Sequence, residues 1–272
     1  MMEESAGIEY VEKIREKVLG KLDTSREVQD EEVYRIIDEV LPGEEESRFL
    51  SLQQRQICRK RVYASIRGLD ILQELLEQED ITEIMVNGLG NIFVEKSGVI
   101  SKYKGRFISE SRLQDVIQTI AAKSNRRVNE ASPIVDARLE DGSRVNIVLK
   151  PIALDGSVIT IRRFPKESIT MEKLVQYGSI SNECAKVLER LVIAGYNIFI
   201  SGGTGSGKTT FLNALSHFIP KQERIITIED SAELQIQGVA NLVRLEARQE
   251  NGEGENGISI RDLIRTSLRM RP

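Results

Sequence analysis

Apolar residues in the first part of the chain recur with a helical period. They fall every three or four positions in residues 8–22 and in residues 33–40, the latter followed by Pro42-Gly43, and a third helical pattern covers residues 50–66. The pattern predicts a helical segment over residues 1–68, packed as a small bundle with a solvated acidic face. A module that docks a partner protein is the alternative interpretation of this segment.

From residue 80 the pattern changes to short β-like runs separated by turn residues. The first three runs cover residues 84–86, 92–95 and 99–103 and predict an antiparallel meander. Ser109 is the predicted cap of an amphipathic helix whose apolar stripe covers one face of the sheet. Two more strand pairs are predicted to turn at Asp141-Gly142 and Asp155-Gly156, dipeptides that accept the positive φ of a tight hairpin. Residues 69–164 are therefore predicted to form an α+β domain.

The last part of the chain alternates between predicted helices and strands. Residues 165–180 are a predicted linker, and Ser181 caps a predicted helix that ends at Ala194. The elements that follow are a buried strand over 196–201, a helix over 208–218 and a strand over 224–229. A strand, a glycine-rich loop, a helix and a strand in this order predict a βαβ unit with a parallel sheet. Residues 181–272 are accordingly predicted to form an α/β domain.

Composition and charge narrow the possible classes of function. The 38 Lys and Arg residues nearly balance the 42 Asp and Glu residues, so the chain lacks the basic field that drives non-specific nucleic-acid binding. The two cysteines, Cys58 and Cys184, give no disulfide framework and favour a reduced, cytosolic setting. The single histidine, His217, cannot by itself supply the mixed ligand set of a structural zinc or iron site. The N-terminus lacks a signal-peptide pattern, and the longest apolar stretch, residues 191–200, is about half of a membrane span. Any membrane role is expected to be peripheral.

A glycine-rich loop is the strongest chemical signal in the chain. Residues 202–209 match G-x-x-x-x-G-K-[ST] between a predicted strand and a predicted helix. In such a loop the main-chain N–H groups point at phosphate oxygens, Lys208 reaches the β and γ phosphates, and the Thr209 hydroxyl binds Mg²⁺. The predicted phosphate-binding residues are Gly202, Gly203, Thr204, Gly205, Ser206, Gly207, Lys208, Thr209 and Thr210.

Two carboxylates follow the next predicted strand. Glu229 and Asp230 end the apolar run, at the edge where the tips of parallel strands meet a ligand. One such carboxylate holds Mg²⁺ through water and another positions the attacking water, and the spacing alone does not separate the two roles. Solvated carboxylates at a strand end are the alternative. Glu233 is a weaker candidate, because its side chain could simply cap a turn.

Arginines form the third group of candidate residues. Arg138 and Arg144 flank the predicted hairpin at Asp141-Gly142, and Arg162 and Arg163 end the last predicted strand of the α+β domain. Adjacent residues of a strand point to opposite faces, so at most one of Arg162 and Arg163 faces a given ligand directly. The planar guanidinium suits phosphate oxygens, and solvated surface arginines are the alternative interpretation.

Several longer strings resemble one known family. They are residues 81–88 (ITEIMVNG), 132–139 (SPIVDARL), 141–146 (DGSRVN), 154–156 (LDG) and 159–164 (ITIRRF). Together with the phosphate loop they resemble the type II/IV secretion ATPases, and within them the tight-adherence (Flp) pilus branch. The resemblance covers residues 50–272.

The resemblance implies a PAS-like α+β domain, a short linker and a RecA-like ATPase domain, assembled as a homohexamer with ATP between the two domains. It also implies ATP and Mg²⁺ as cofactors, an inner-membrane pilus or secretion platform as partner, and a cytoplasmic position peripheral to the membrane. By this resemblance Glu229 activates water. The roles it implies are catalytic for Lys208, Glu229, Arg162 and Arg163, phosphate-binding for Arg138 and Arg144, and Mg²⁺-associated for Thr209 and Asp230.

The C-terminal end departs from the family pattern. In the family, a run like residues 268–272 is followed by an apolar strand that ends in the Mg²⁺-associated acid, whereas here only 63 residues follow Thr209. The sequence is therefore expected to be a truncated product or a fragment with an incomplete RecA-like domain. The expected function is an ATP-binding and ATP-hydrolysing subunit of a pilus or secretion motor. A catalytically inactive nucleotide-binding or assembly module is the alternative.

Overall fold

The protein is described by a computed structural model that covers residues 4–23, 25–26, 28–163, 169–203, 205–248 and 257–271. The chain divides into two compact units, Met1–Phe164 and Pro165–Pro272, and each is described by itself. Residues 165–168 of the predicted linker, and Thr204 of the predicted phosphate loop, lie outside the described residues.

The first unit begins with three helices that share a hydrophobic core. Helix α1 spans Glu4–Leu19, α2 spans Asp30–Val40 and α3 spans Leu52–Arg67, with two short 3₁₀ turns at Leu41–Gly43 and Glu45–Phe49. The three predicted helices are confirmed, and α3 begins at a capping box in which Ser51 and Gln54 satisfy each other's main-chain N–H groups. The buried residues of this core are Tyr10, Ile14, Val18, Val33, Ile36, Ile37, Val40, Leu41, Leu50, Cys58 and Val62.

A six-stranded antiparallel sheet forms the rest of the first unit. After helix α4 (Ile71–Leu76), the strands are β1 (Ile81–Asn87), β2 (Ile92–Lys96), β3 (Val99–Lys102), β4 (Ile134–Arg138), β5 (Arg144–Val148) and β6 (Val158–Arg162). The order across the sheet is β3-β2-β1-β6-β5-β4, so the last strand lies in the middle beside the first. Helix α5 (Glu110–Lys123) is capped by Ser109 as predicted, and its apolar stripe joins the core on one face of the sheet.

The two predicted hairpin turns have different outcomes. Asp141-Gly142 joins β4 to β5, with Gly142 at a φ of 87°. Asp155-Gly156 does not form a tight hairpin, because β5 and β6 are joined by a longer connection over residues 149–157. Gly156 has a φ of 130°, and a Cβ atom there would lie 2.9 Å from the Gly88 Cα atom. The glycine is therefore required by the close approach of two main-chain segments.

An ion pair between the buried Arg112 and the half-buried Asp70 joins the helical core to the sheet within the first unit. The Arg112 side chain is 6% exposed, and its Nη2 donates to the Ser65 carbonyl oxygen at 2.6 Å and to Asp70 Oδ2 at 2.8 Å. Asp70 has a φ of 53°, in a region that non-glycine residues rarely adopt. Burial raises the pKa of Asp70, while the Arg112 guanidinium acts in the opposite direction.

The second unit contains four helices and a small parallel sheet in its described part. The elements are α6 (Met171–Gln176), α7 (Asn182–Ile193), α8 (Lys208–Ser216), β7 (Ile225–Glu229), β8 (Leu242–Glu246) and α9 (Ile260–Ser267). The predicted cap of α7 is confirmed, since the Ser181 side chain accepts from the Cys184 N–H group. The buried residues of this unit's hydrophobic cluster are Met171, Ala185, Ala214 and Leu215. Strand β8 and helix α9 were not predicted from the sequence.

The predicted strand over residues 196–201 is not formed. Within the described residues, β7 pairs in parallel with β8, and residues 196–201 pair with no strand. The first strand of the predicted strand–loop–helix–strand unit is therefore absent from the described residues. The apolar pattern arises because Ile198 and Ile200 pack against the cluster, while Phe199 between them is 96% exposed. An alternation of buried and exposed positions indicates one packed face but does not provide the main-chain partners that make a strand.

Candidate functional site

Two glycines of the glycine-rich loop have main-chain torsion angles that favour glycine. Gly205 and Gly207 have φ values of 72° and 86°, which residues with a Cβ atom rarely adopt. Gly207 is the N-cap of α8 and supplies no side-chain acceptor to the first turn of that helix. A Cβ atom at Gly203, Gly205 or Gly207 would meet no atom within 4 Å. The first N–H groups of α8 therefore lack a side-chain cap and border open space, which fits an anion such as a phosphate group.

Two polar side chains at the start of α8 are already placed by hydrogen bonds. Lys208 Nζ donates to the Gly203 carbonyl oxygen at 2.6 Å, so the lysine folds back across the loop. Thr209 Oγ1 lies 3.3 Å from Glu233 Oε2. A hydroxyl beside a carboxylate oxygen is a donor set that suits Mg²⁺, which prefers few protein ligands and completes its shell with water and phosphate oxygens. Among the described residues, no group of three or more His, Cys, Asp and Glu side chains could hold a metal by itself.

Glu229 closes a turn formed by residues 229–235, named here the acidic loop. Its Oε2 atom accepts the Glu233 N–H at 2.6 Å and the Leu234 N–H at 2.9 Å. Its Oε1 atom is buried and has no hydrogen-bond partner in the described part of the chain. Asp230, the next residue, is exposed. Glu229 thus binds the main chain of its own loop, and this brings the Glu233 side chain back toward α8.

The acidic loop is also bound to α8 through Asn213. The Asn213 Oδ1 atom accepts the Gln235 N–H at 2.9 Å, and the residue is 8% exposed. Neither Asn213 nor this contact was predicted from the sequence. The available signal was weak, since a polar residue four positions after Thr209 on a helix lies on the same face as Thr209.

The structure brings together a different set of residues from the one that the sequence favoured. Lys208 and Thr209 lie where the motif predicts, at the start of α8, and Thr210 follows them as a half-buried residue. The carboxylate on the Thr209 hydroxyl belongs to Glu233, the weaker candidate. The catalytic role of Glu229 and the Mg²⁺ association of Asp230 stay predictions. The path of the main chain after β7 decides which carboxylate lies beside the Thr209 hydroxyl.

Three of the four candidate arginines form one row on the sheet of the first unit. Arg138 on β4 lies opposite Arg144 on β5, and Arg144 lies opposite Arg162 on β6. Their strand neighbours Ala137, Val145 and Ile161 are buried on the face that α5 covers. The row therefore lies on the opposite face of the sheet and, at about 4.8 Å per strand, spans about 10 Å. On β1 the row continues with Glu83, opposite Arg162.

Arg163 has a different environment from Arg162. Its Nη1 atom donates to the carbonyl oxygens of Gln78 and Ile81, the latter at 3.1 Å, and its main-chain N–H donates to the Thr82 carbonyl. The side chain fastens the end of β6 to the turn before β1. Arg162 is exposed on the face that carries Arg138 and Arg144. The geometry therefore favours Arg162 over Arg163 as a ligand-facing residue.

Comparisons with known proteins match most of the chain. Residues 66–272 match the family model described as "Type II/IV secretion system protein". An uncharacterized protein of Methanocaldococcus jannaschii is 38% identical over 222 residues, which cover 78% of this chain and 30% of that protein. The type IV secretion system protein PtlH of Bordetella pertussis is 31% identical over 225 residues, which cover 75% of this chain and 66% of PtlH. The chain thus spans less than the full length of the curated relatives that it matches.

A solved structure shares the fold. The crystal structure of the pilus retraction motor PilT with bound ADP superimposes with a TM-score of 0.53 and 24% identity, covering 75% of this chain and 57% of that chain. The described residues contain no helix whose length and apolar character would allow it to cross a bilayer.

Proposed function

The chain belongs to the type II/IV secretion system protein family, and we propose that it is the ATP-binding and ATP-hydrolysing subunit of a hexameric motor that powers Flp or type IV pilus assembly or protein secretion. The observation that carries this proposal is the uncapped start of α8, where Gly205 and Gly207 hold the loop open and Lys208 and Thr209 follow. The proposed ligands are ATP and Mg²⁺.

The phosphate loop binds and orients the triphosphate in this proposal. The N–H groups at the start of α8 receive phosphate oxygens, and the positive end of the helix dipole favours their charge. Lys208 leaves the Gly203 carbonyl, where its ammonium group rests, and donates to the phosphates. Thr209 is the residue that would hold Mg²⁺ through its hydroxyl group, and the ion, when bound, neutralises charge on the phosphate oxygens.

Glu233 is the proposed residue that orients the attacking water and accepts its proton. Its carboxylate already lies at the Thr209 hydroxyl, whereas the Glu229 carboxylate accepts two main-chain N–H groups. A general base must lie within hydrogen-bond reach of the proton that it removes, so the position of the two glutamates decides between them. Glu229 then acts on catalysis by holding the loop that carries Glu233.

The arginine row of the first unit supplies the further cations that the family resemblance assigns to phosphate contact. Arg138, Arg144 and Arg162 share one face of the sheet, and the bidentate guanidinium group matches phosphate geometry. Arg163 has a structural role at the end of β6. A platform protein of the inner membrane is the proposed partner, with the motor peripheral to the cytoplasmic face of the membrane.

Nucleotide binding is the first test of the proposal. We expect a fluorescent ATP analogue to bind in the presence of MgCl₂, and Lys208→Ala to weaken the affinity by about 30-fold, since a hydrogen bond to a charged group contributes about 2 kcal/mol. The matched control is Lys221→Ala, which removes an exposed lysine beyond the C-terminal end of α8.

Steady-state phosphate release separates the two candidate functions. ATP hydrolysis by the wild-type chain that is lost in Lys208→Ala supports the proposal of a motor subunit. Binding without turnover supports a nucleotide-binding or assembly module instead. A chain that binds no adenine nucleotide with Mg²⁺, or a Lys208→Ala variant with unchanged affinity, would contradict the proposal.

A further inference from the structure

We infer that Asn213 is a positioning residue that holds the acidic loop so that Glu233 stays on the Thr209 hydroxyl. The inference rests on the proposed function and deepens it, because it assigns the placement of the proposed catalytic carboxylate to a side chain outside the proposed nucleotide and Mg²⁺ ligands. Asn213 acts on the loop through the main chain of Gln235.

The position of Asn213 on α8 makes this role possible. Asn213 follows Thr209 by four residues, one helical turn, so both side chains leave the same face of α8. Thr209 contacts the Glu233 side chain at 3.3 Å, and Asn213 accepts the Gln235 N–H at 2.9 Å. Residues 233 and 235 of the acidic loop therefore contact Thr209 and Asn213, which lie one turn apart on α8.

Three consecutive main-chain N–H groups of the acidic loop are bound by side chains. The N–H groups of Glu233 and Leu234 go to Glu229 at the end of β7, and the N–H of Gln235 goes to Asn213 on α8. Glu229 therefore fixes the shape of the turn, whereas Asn213 fixes the turn to the helix that carries the phosphate loop. Without Asn213 Oδ1 the turn is held only by its bonds to Glu229, so it opens more often and Glu233 moves away from Thr209.

The burial of Asn213 makes the contact specific. The residue is 8% exposed. Its main-chain carbonyl oxygen accepts a hydrogen bond from the Ser216 hydroxyl at 2.7 Å and lies 2.9 Å from His217 Nδ1. A side-chain amide that is removed from water requires a hydrogen-bond partner, and the Gln235 N–H provides it. Replacing Asn213 with an apolar residue leaves this N–H without its acceptor, which costs more than the bond itself contributes.

Two variants of the full chain separate the acceptor from the shape of the side chain. Asn213→Leu keeps a similar size and removes the acceptor, whereas Asn213→Asp keeps an oxygen atom in that place whether it is ionised or protonated. Ser216→Ala is the matched control, because it removes a buried hydroxyl and a hydrogen bond of the same helix without touching the acidic loop. Gln235→Pro removes the same contact from the loop side and leaves α8 intact, in case Asn213→Leu does not fold.

Hydrogen exchange is the first readout and does not depend on activity. We expect the amides of residues 233–235 to exchange about tenfold faster in Asn213→Leu than in the wild type. Asn213→Asp and Ser216→Ala are expected to exchange at a rate close to that of the wild type. In Gln235→Pro, the amides of residues 233 and 234 are expected to exchange faster. Unchanged exchange in both Asn213→Leu and Gln235→Pro would overturn the inference.

Nucleotide affinity and turnover are the second readout. The ratio of the Kd in EDTA to the Kd in MgCl₂ is expected to fall several-fold in Asn213→Leu, with the Kd in EDTA unchanged, and kcat is expected to fall more than KM changes. A normal ratio and a normal kcat in a folded Asn213→Leu variant would contradict the positioning role. A wild-type chain that binds no nucleotide contradicts the proposed function instead, and the exchange rates then still decide whether Asn213 holds the loop.

Discussion

Glu229→Gln is expected to loosen the acidic loop while leaving the Glu233 carboxylate in the chain. The Glu229 carboxylate accepts two main-chain N–H groups at 2.6 and 2.9 Å. A hydrogen bond to a charged group contributes about 1.5–3 kcal/mol and one between neutral groups about 0.5–1.5 kcal/mol, so neutralising the acceptor removes about 1 kcal/mol from each bond. The two bonds together lose about 2 kcal/mol, which corresponds to an equilibrium shift of about 30-fold.

Amide hydrogen exchange measures this shift at the residues concerned. We expect the amides of Glu233 and Leu234 to exchange about 30-fold faster in Glu229→Gln if they exchange through local opening of the loop. The matched variant is Glu233→Gln, which makes the same chemical change four residues later. It is expected to alter the free energy of unfolding by less than about 1 kcal/mol and to reduce ATP hydrolysis by 10²-fold or more, the typical contribution of a general base.

The two variants also decide which glutamate acts on water. Fast exchange and a moderate loss of turnover in Glu229→Gln, with a large loss in Glu233→Gln, agree with the proposed roles. Wild-type exchange together with a large loss of turnover in Glu229→Gln, and retained turnover in Glu233→Gln, would refute the reasoning and return the catalytic role to Glu229.

Three further predictions concern the first unit and the two thiols. Arg162→Ala is expected to reduce ATP hydrolysis more than nucleotide affinity, whereas Arg163→Ala is expected to lower the free energy of unfolding by about 2 kcal/mol, because Arg163 donates to main-chain carbonyl oxygens. Arg112→Met leaves the half-buried Asp70 carboxylate without its cation and is expected to lower the free energy of unfolding in urea by about 3 kcal/mol. Burial raises the pKa of Cys58 to about 11, so iodoacetamide at pH 8 should modify the exposed Cys184 in the native protein and Cys58 only after unfolding.

Each of these predictions has a result that would contradict it. Equal rates of ATP hydrolysis and equal unfolding free energies in Arg162→Ala and Arg163→Ala would contradict the different roles given to the two arginines. Asp115→Asn is the control for Arg112→Met, since Asp115 contacts the same guanidinium from a side chain that is 60% exposed. A similar loss of unfolding free energy in both variants would show that the Arg112–Asp70 pair contributes no more than the exposed pair. Equal alkylation rates of the two thiols in the native state would show that Cys58 is accessible.

Local signals in the sequence predicted much of the secondary structure. Ser109 and Ser181 cap the helices that they were predicted to cap, because a cap needs only its own side chain and the N–H groups of the next turn. The meander of β1, β2 and β3 is confirmed for a similar reason, since strands joined by short turns pair with their neighbours. The glycine-rich loop was found because φ values near 80° restrict the choice of residue at single positions.

Contacts between distant segments lay beyond the sequence analysis. Residues 196–201 have the apolar pattern of a strand, but a strand also needs main-chain partners, and the pattern says nothing about those. Gly156 resembles a hairpin residue, and its actual neighbour is Gly88, brought beside it by the sheet. Arg162 and Arg163 were predicted to point to opposite faces, but which of them binds carbonyl oxygens depends on the turn before β1.

The sequence by itself therefore determined where the glycine-rich loop begins, which segments form helices, and that the last unit carries carboxylates after a strand, because each of these depends on residues close together in the chain. Only the tertiary structure decided that Glu229 binds its own main chain and that Glu233 lies on Thr209, because that choice requires β7, α8 and Asn213 to meet. Carboxylates of identical chemistry differ in their contacts through the partners that folding brings to them.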